Sequence, residues 1–377
     1  MSPISLSEAD RAWVADVWKR LETKMPYALE KAQGLDFMPY TARDNAWQPG
    51  PDGVCWWTNG FWPATMWQMY LHTGEQSYRT EADRAEIMLD AAFADYDNLH
   101  HDVGFMWHIT AGVNFRLTGN GQSRKRVLLA ANLLAGRFNP LGFIRAWNQD
   151  RAGWAIVDTM LNISLLYWAS DHIGDPRYRK IAMIHADTTM QYFIRPDGSA
   201  NHIVQFDPET MHVLEPPGGQ GCAPGSSWSR GQAWALYGFT LSFLHTGKRE
   251  YLNTAKRVAH YFIANVQNDW VPRCDFRQPE LPDLRDTCAS GIAACALIEL
   301  SNAVPEGEAP LYLRAALQML KAADAHCADW GLTSPAILQK CTSAYHDPQG
   351  HHIPMIYGDY FFIEAMGKLR GEKMLFW

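Results

Sequence analysis

Apolar residues spaced three and four apart recur along almost the whole chain, and this rhythm constrains the fold more than any other feature. It predicts twelve helices, over roughly 7–31, 60–73, 76–97, 104–117, 122–138, 158–172, 177–194, 229–246, 250–267, 286–303, 309–328 and 357–370. Several junctions share one form: His72-Thr73-Gly74 leads to Tyr78, His172-Ile173-Gly174 to Tyr178, and His245-Thr246-Gly247 to Tyr251. Leu117-Thr118-Gly119 and Glu306-Gly307 before Tyr312 echo it. Each reads as a helix closed by a glycine C-cap, a short polar turn, and a new helix whose first-turn tyrosine packs back on its predecessor. The glycines are unevenly spaced, which argues against an open solenoid of fixed period. Helical hairpins that must bury their ends close into a ring instead. Twelve helices in six hairpins predict an all-α (α/α)6 barrel, with inner helices around a central cavity and long loops gathered at one mouth. The loop-rich segments are 38–58, 139–156, 196–228, 268–285 and 330–356, with short strands expected at 199–206 and 271–277. No Pro/Ser-rich linker or shift of composition divides the sequence, so residues 1–377 are expected to form a single domain.

Composition narrows the function. With 47% hydrophobic and 19% charged residues, disorder is excluded as the main organisation. A net charge of −7 argues against nucleic acid or an anionic membrane as partner, since either needs a basic footprint. No window approaches eighteen apolar residues, and the opening Met-Ser-Pro-Ile-Ser lacks the basic and apolar run of a secretory leader. Seven cysteines, odd in number and without a C-x-x-C pair, read as free thiols in a reducing cytoplasm. Sixteen tryptophans are the anomaly; they fill a large core or stack on sugar faces.

Polar residues stranded in apolar surroundings carry the chemistry. Asp158 lies where Trp154-Ala-Ile-Val turns into a helix, and reads equally as an N-cap or as an acid held protonated by apolar neighbours, as general acid chemistry requires. Asp102, in Asn98-Leu-His-His-Asp102-Val-Gly104, reads as a cap or turn. Consecutive residues are expected to diverge in direction, so no metal site is expected at His100, His101 and Asp102, and no cofactor is required. His346, His351 and His352 read as loop residues. No G-x-S-x-G, P-loop or G-x-G-x-x-G motif supports serine-hydrolase or nucleotide chemistry. Aromatic and donor groups cluster at Cys55-Trp-Trp57-Thr-Asn59-Gly-Phe61-Trp62 and at Ser226-Ser-Trp228-Ser-Arg230-Gly-Gln-Ala-Trp234. In the second cluster Arg230 and Trp234 share a helix face, which suggests a carboxylate and sugar clamp or an arginine stacked structurally on indole.

Taken together, these segments resemble the unsaturated glucuronyl hydrolases of glycoside hydrolase family 88. The resemblance rests on six motifs in order: W-T-N-G-F-W at 57–62, H-H-D-V-G-F at 100–105, R-A-W at 145–147, I-V-D-x-x-L-N at 156–162, S-x-W-x-R-G-Q-A-W at 226–234 and Y-G-D-Y at 357–360. It implies an (α/α)6 barrel and a hydrolase whose partner is an oligosaccharide left by a polysaccharide lyase, carrying a 4,5-unsaturated uronic acid at its non-reducing end. It further implies Asp158 as general acid and base, Asp102 as its assistant, and Trp57, Phe61, His101, Trp147, His202, Gln220, Trp228, Arg230 and Trp234 as sugar-site residues. Members that prefer sulfated glycosaminoglycan fragments carry Ser-x-x-Ser-x-Lys before Y-G-D-Y. Here the stretch reads Ser343-Ala-Tyr-His346-Asp-Pro348, which puts a strong sulfate preference in doubt unless His346 or Lys340 substitutes. Alternatives are an unsaturated rhamnogalacturonyl hydrolase acting on pectin fragments, an (α/α)6 sugar 2-epimerase working through paired histidines, and a catalytically silent sugar-binding protein.

Overall fold

The computed structural model describes residues 6–215, 217–266 and 268–377. Residue 267, the expected end of the ninth helix, and residue 216, within an expected loop, lie outside them. Among the described residues fifteen α-helices stand where twelve are predicted, because three predicted segments are interrupted. They are α1 (Glu8–Glu30), α2 (Phe61–Thr73), α3 (Gln76–Met88), α4 (Asp90–Ala94), α5 (Val103–Trp107), α6 (Ala111–Thr118), α7 (Gly121–Ala135), α8 (Thr159–Asn162), α9 (Ser164–Ile173), α10 (Pro176–Tyr192), α11 (Ser229–Thr246), α12 (Arg249–Val266), α13 (Thr287–Ala303), α14 (Ala309–Cys327) and α15 (Ile356–Leu369).

Packing closes these helices into two concentric rings. Inner neighbours run from α2 to α6, α5 to α8, α8 and α9 to α11, α11 to α13, α13 to α15, and α15 back to α2. Outside them α1 packs on α15, α3 on α2, α7 on α5 and α6, α10 on α9, α12 on α11, and α14 on α13. The first helix thus pairs with the last, which is the closure that the hairpin pattern predicts. Sequence explains the layering. In α12 the buried residues Tyr251, Leu252, Ala255, Val258, Ala259 and Phe262 form one stripe, as suits a helix with a solvent face. In α13 nearly every residue from Thr287 to Ser301 is buried, and its Ala, Gly, Ser and Cys side chains let neighbours approach from both sides. The predicted junctions form as well: Gly74, Gly174 and Gly247 adopt φ of 74°, 72° and 71°, and Tyr251 packs back on Phe239 of α11.

The interrupted helices lie beside the loop end of the barrel. There the backbone approaches so closely that a Cβ on Gly60 would stand 2.0 Å from the Phe105 carbonyl oxygen, and one on Gly104 would stand 2.7 Å from Asn162 Cα. Three two-stranded antiparallel ribbons sit among the loops: β1 (Thr41–Arg43) with β2 (Ala46–Gln48), β3 (Phe138–Asn139) with β4 (Phe143–Ile144), and β5 (Trp154–Ile156) with β6 (Ile203–Gln205). β6 lies in the predicted 199–206 strand, whereas 271–277 contributes only the isolated bridges Arg273 to Arg285 and Trp228 to Asp275. Away from the loops the interior is filled. Trp377 lies flat on Phe361 at 5.7 Å, within reach of Phe61, Phe105, Tyr237 and Tyr360.

Candidate active site

Both aspartates stand at helix starts, and neither caps its helix. Asp102 precedes α5 and Asp158 precedes α8, yet the side chain of each makes no hydrogen bond to the free amides that follow. Each helix start therefore leaves its carboxylate uncommitted to the backbone amides. Asn162 ties the two starts together. Its Nδ2 donates to Asp102 Oδ1 at 3.1 Å and to the Asp158 carbonyl at 3.3 Å, while its Oδ1 accepts from the Phe105 amide at 2.8 Å. Pairing of β5 with β6 brings His202 to the same place, because the Val157 amide donates to the His202 carbonyl at 3.0 Å.

Hydrogen-bond partners fix the histidine tautomers. The Gln220 amide donates to His202 Nδ1 at 3.1 Å, so the ring proton sits on Nε2, which faces Asp158 Oδ1 at 3.9 Å. Both of those atoms are buried without a hydrogen-bond partner. His101 Nδ1 lies 2.8 Å from the Ala146 carbonyl, which can only accept, so its Nε2 lone pair faces Asp102 Oδ1 at 3.3 Å. Two acceptors in contact call for a proton between them. Accordingly, burial and then the charge of Asp158 hold the Asp102 carboxyl well above the usual carboxylate range. Burial also pushes Asp158 up to about 7, against the opposing charge of Arg230, and burial drops His202 to about 3. Contact with His101 and burial thus both favour the protonated form of Asp102, and Asp158 titrates near neutrality. That is the property required of one group that gives a proton and then takes one.

Asp102 and Asp158 open onto a chamber of about 650 Å³, also lined by Trp57, His101, Trp147, Gln220, Trp228 and Arg230. Trp147 stands edge-on to His101 at 5.7 Å, and His202 lies 4.2 Å from the Trp228 ring, behind the lining. Phe61 and Trp234 do not reach the chamber. Phe61 is fully buried between Trp57 and Tyr360, and Trp234 packs on Phe105 and Phe361, so they back the aromatic wall.

Arg230 departs furthest from the sequence reading. Its indole partner is Trp228, 4.5 Å away, and not Trp234, because Trp228 sits at the extended residue before α11 and its ring turns back over the guanidinium. The guanidinium is also committed already: it pairs with buried Asp286 and donates to the carbonyls of Thr342 at 2.9 Å and Ser343 at 2.6 Å. The buried Nε–H and the second N–H of the nitrogen that serves Ser343 stay uncommitted, while Asp286 cancels most of the charge.

No protein-family model matches the chain. A relative, the unsaturated glucuronyl hydrolase of Bacillus sp. (strain GL1), is 34% identical over 334 residues, covering 85% of this chain and 88% of that protein. The chain belongs to the unsaturated glucuronyl hydrolases. The unsaturated chondroitin disaccharide hydrolase of Streptococcus pyogenes serotype M1 is 30% identical, covering 99% of this chain and 94% of its own length. A solved structure of the Bacillus sp. GL1 unsaturated glucuronyl hydrolase, described as responsible for the degradation of glycosaminoglycan, matches with a TM-score of 0.88 at 31% identity over 94% of this chain and 97% of that one. A Streptococcus agalactiae unsaturated glucuronyl hydrolase variant complexed with dGlcA-GalNAc6S matches with a TM-score of 0.84 at 25% identity over the full length of both chains.

Within this unsaturated glucuronyl hydrolase chain the structure adds residues that sequence reasoning passed over. Asn162 was visible as the residue one helical turn beyond Asp158. Asp286 sits far away in sequence and became relevant only when α13 packed beside α11. Arg137 donates to the carbonyls of Ala146 at 2.9 Å and Trp147 at 2.8 Å, and so holds the loop that positions His101. Trp56 and Gln220 line both the first chamber and a second, of about 580 Å³, which also includes Arg43, Ser343 and Asp347. The adjacent residues His100, His101 and Asp102 converge, contrary to the divergence expected of neighbours, and their ligand atoms lie within 4.8 Å of one another. The turn at Asp102 folds both rings toward its carboxyl, His100 Nδ1 lying 3.3 Å from Oδ2. A second buried set, Asp286, Cys288 and Cys341, has its carboxylate occupied by Arg230.

Proposed function

We propose that this unsaturated glucuronyl hydrolase removes the 4,5-unsaturated uronic acid from the non-reducing end of lyase-generated oligosaccharides by hydrating its C4=C5 vinyl ether. The observation that carries this reading is Asp158: a carboxyl at a helix start that makes no cap, opens onto a sugar-sized chamber, and is raised to about 7. Its proton goes to C4, and the resulting cation at C5 is stabilised by the ring oxygen. The same carboxylate then takes a proton from the water that adds to C5. The hemiketal so formed collapses, the ring opens, and the leaving sugar departs with its hydroxyl restored. Asp102, neutral because it shares its proton with His101, can accept from a sugar hydroxyl and adds no charge that would oppose ionisation of Asp158. Trp57, Trp147 and Trp228 supply apolar faces, and Gln220 stands where the two chambers meet.

The names of the relatives favour glucuronyl and chondroitin disaccharides over rhamnogalacturonyl substrates. Residues 1–377 are proposed to act as one catalytic domain that needs no metal or cofactor. A reducing, cytoplasmic setting is proposed as well, supported by seven cysteines that are all unpaired. Among the described residues no helix is long and apolar enough to cross a membrane. The deciding test is turnover of unsaturated disaccharides from chondroitin, hyaluronan, heparin, gellan and rhamnogalacturonan, followed by loss of the ultraviolet absorbance of the double bond. An enzyme that leaves this absorbance untouched on every substrate does not perform the proposed reaction.

A further inference from the structure

The charges around the first chamber do not balance for an anionic substrate. Asp52 and Asp97 line it together with Asp158, which titrates near neutrality, and the neutral Asp102, against two arginines, Arg151 and Arg230. Arg230 is neutralised by Asp286 and has both terminal nitrogens engaged. Arg151 is different. Its guanidinium lies 5.2 Å from the Trp147 ring centroid and 5.0 Å from that of Trp154, in the notch between two indoles 5.9 Å apart. Its side chain is exposed, and among the described residues the partners of its guanidinium are these two indoles. A guanidinium resting against indole rings keeps N–H donors that an arriving oxyanion can use.

We propose that Arg151 recognises an oxyanion on the unsaturated sugar, either the uronate carboxylate or a sulfate ester on the same ring. This rests on the proposed function and goes beyond it by naming the cation that admits a charged sugar to an acid-lined chamber. Trp147 and Trp154 serve as its platform, so the wall that flanks His101 both stacks and carries charge.

The test compares the parent with Arg151→Ala and Arg151→Lys on unsulfated and 2-O-sulfated unsaturated disaccharides, with inorganic sulfate as competitor and ionic strength varied. Arg277→Gln, outside the chamber lining and paired with Asp197, controls for the loss of one positive charge. Arg151→Ala is expected to raise KM about ten-fold, with kcat falling far less, and to weaken inhibition by sulfate, because a charge matched equally in ground and transition states contributes to binding. Arg151→Lys should recover part of the loss. An equal rise for both disaccharides assigns the carboxylate; a larger rise for the sulfated one assigns the ester. Unchanged KM, sulfate inhibition and salt dependence in Arg151→Ala overturn the proposal. If the parent consumes no unsaturated uronide, the proposed function fails first. Calorimetric titration of parent and Arg151→Ala with inorganic sulfate then still decides whether Arg151 binds an oxyanion.

Discussion

Replacing Asp158 by asparagine should cost the enzyme its activity and make the protein more stable, and the stability gain should depend on pH in a defined way. Burial lifts the Asp158 carboxyl from the ordinary carboxylate range to about 7. At ~1.4 kcal/mol per tenfold, that rise means the ionised form is disfavoured in the folded protein by about 4 kcal/mol. A folded-state value above the unfolded one penalises folding once pH exceeds the unfolded value, and the penalty stops growing at the folded value. The parent should therefore carry about 1 kcal/mol of this penalty at pH 4.5 and about 4 kcal/mol at pH 8. Asp158→Asn removes it, so its advantage in urea unfolding should widen by about 3 kcal/mol between those two pH values. A single cooperative transition in these curves is also what one domain requires. Over the same range kcat should fall by about 10² to 10⁴, followed by loss of the double-bond absorbance. In the parent, kcat/KM should decline as pH rises through about 7, where the proton donor is lost. Near-parental turnover by Asp158→Asn, or a stability difference that is the same at both pH values, would refute the reasoning.

Asp102→Asn should lower the rate while leaving the alkaline limb of the kcat/KM profile near pH 7, because Asp102 is already neutral when Asp158 titrates; a downward displacement of a full pH unit would show that it is ionised in the free enzyme. Arg230→Ala strands a buried carboxylate and should cost about 3 to 5 kcal/mol in denaturant unfolding, much of it recovered by pairing Arg230→Met with Asp286→Leu. Recovery will be incomplete, since Asp286 also accepts from the Cys288 amide at the start of α13. A 6-sulfated chondroitin disaccharide should show no gain in kcat/KM over its unsulfated form, because Ser343 Oγ is tied to Asp347 at 3.1 Å and an acid lines the second chamber. Dialysis against EDTA should leave activity intact; loss restored by a divalent ion would assign a metal to His100, His101 and Asp102.

The barrel itself was legible in the sequence, since helix periodicity, glycine caps and uneven hairpin lengths are local properties that leave few ways to bury every apolar stripe. Asp158, Asp102 and the tryptophan clusters stood out because acids and indoles rarely sit at apolar helix starts without a reason. Their local sequence left cap and catalytic readings open, and in the folded chain neither side chain makes a capping hydrogen bond. Three further features depended on chain segments far apart in sequence. Asp286 neutralises Arg230 only because α13 packs against α11, and His202 faces Asp158 only because β5 pairs with β6. Both carboxyls are raised by burial, and at Asp102 the charge of Asp158 adds to it. Period and capping are written in neighbouring residues, whereas the charge state of a buried group depends on which distant side chains exclude water from it and which of them face it.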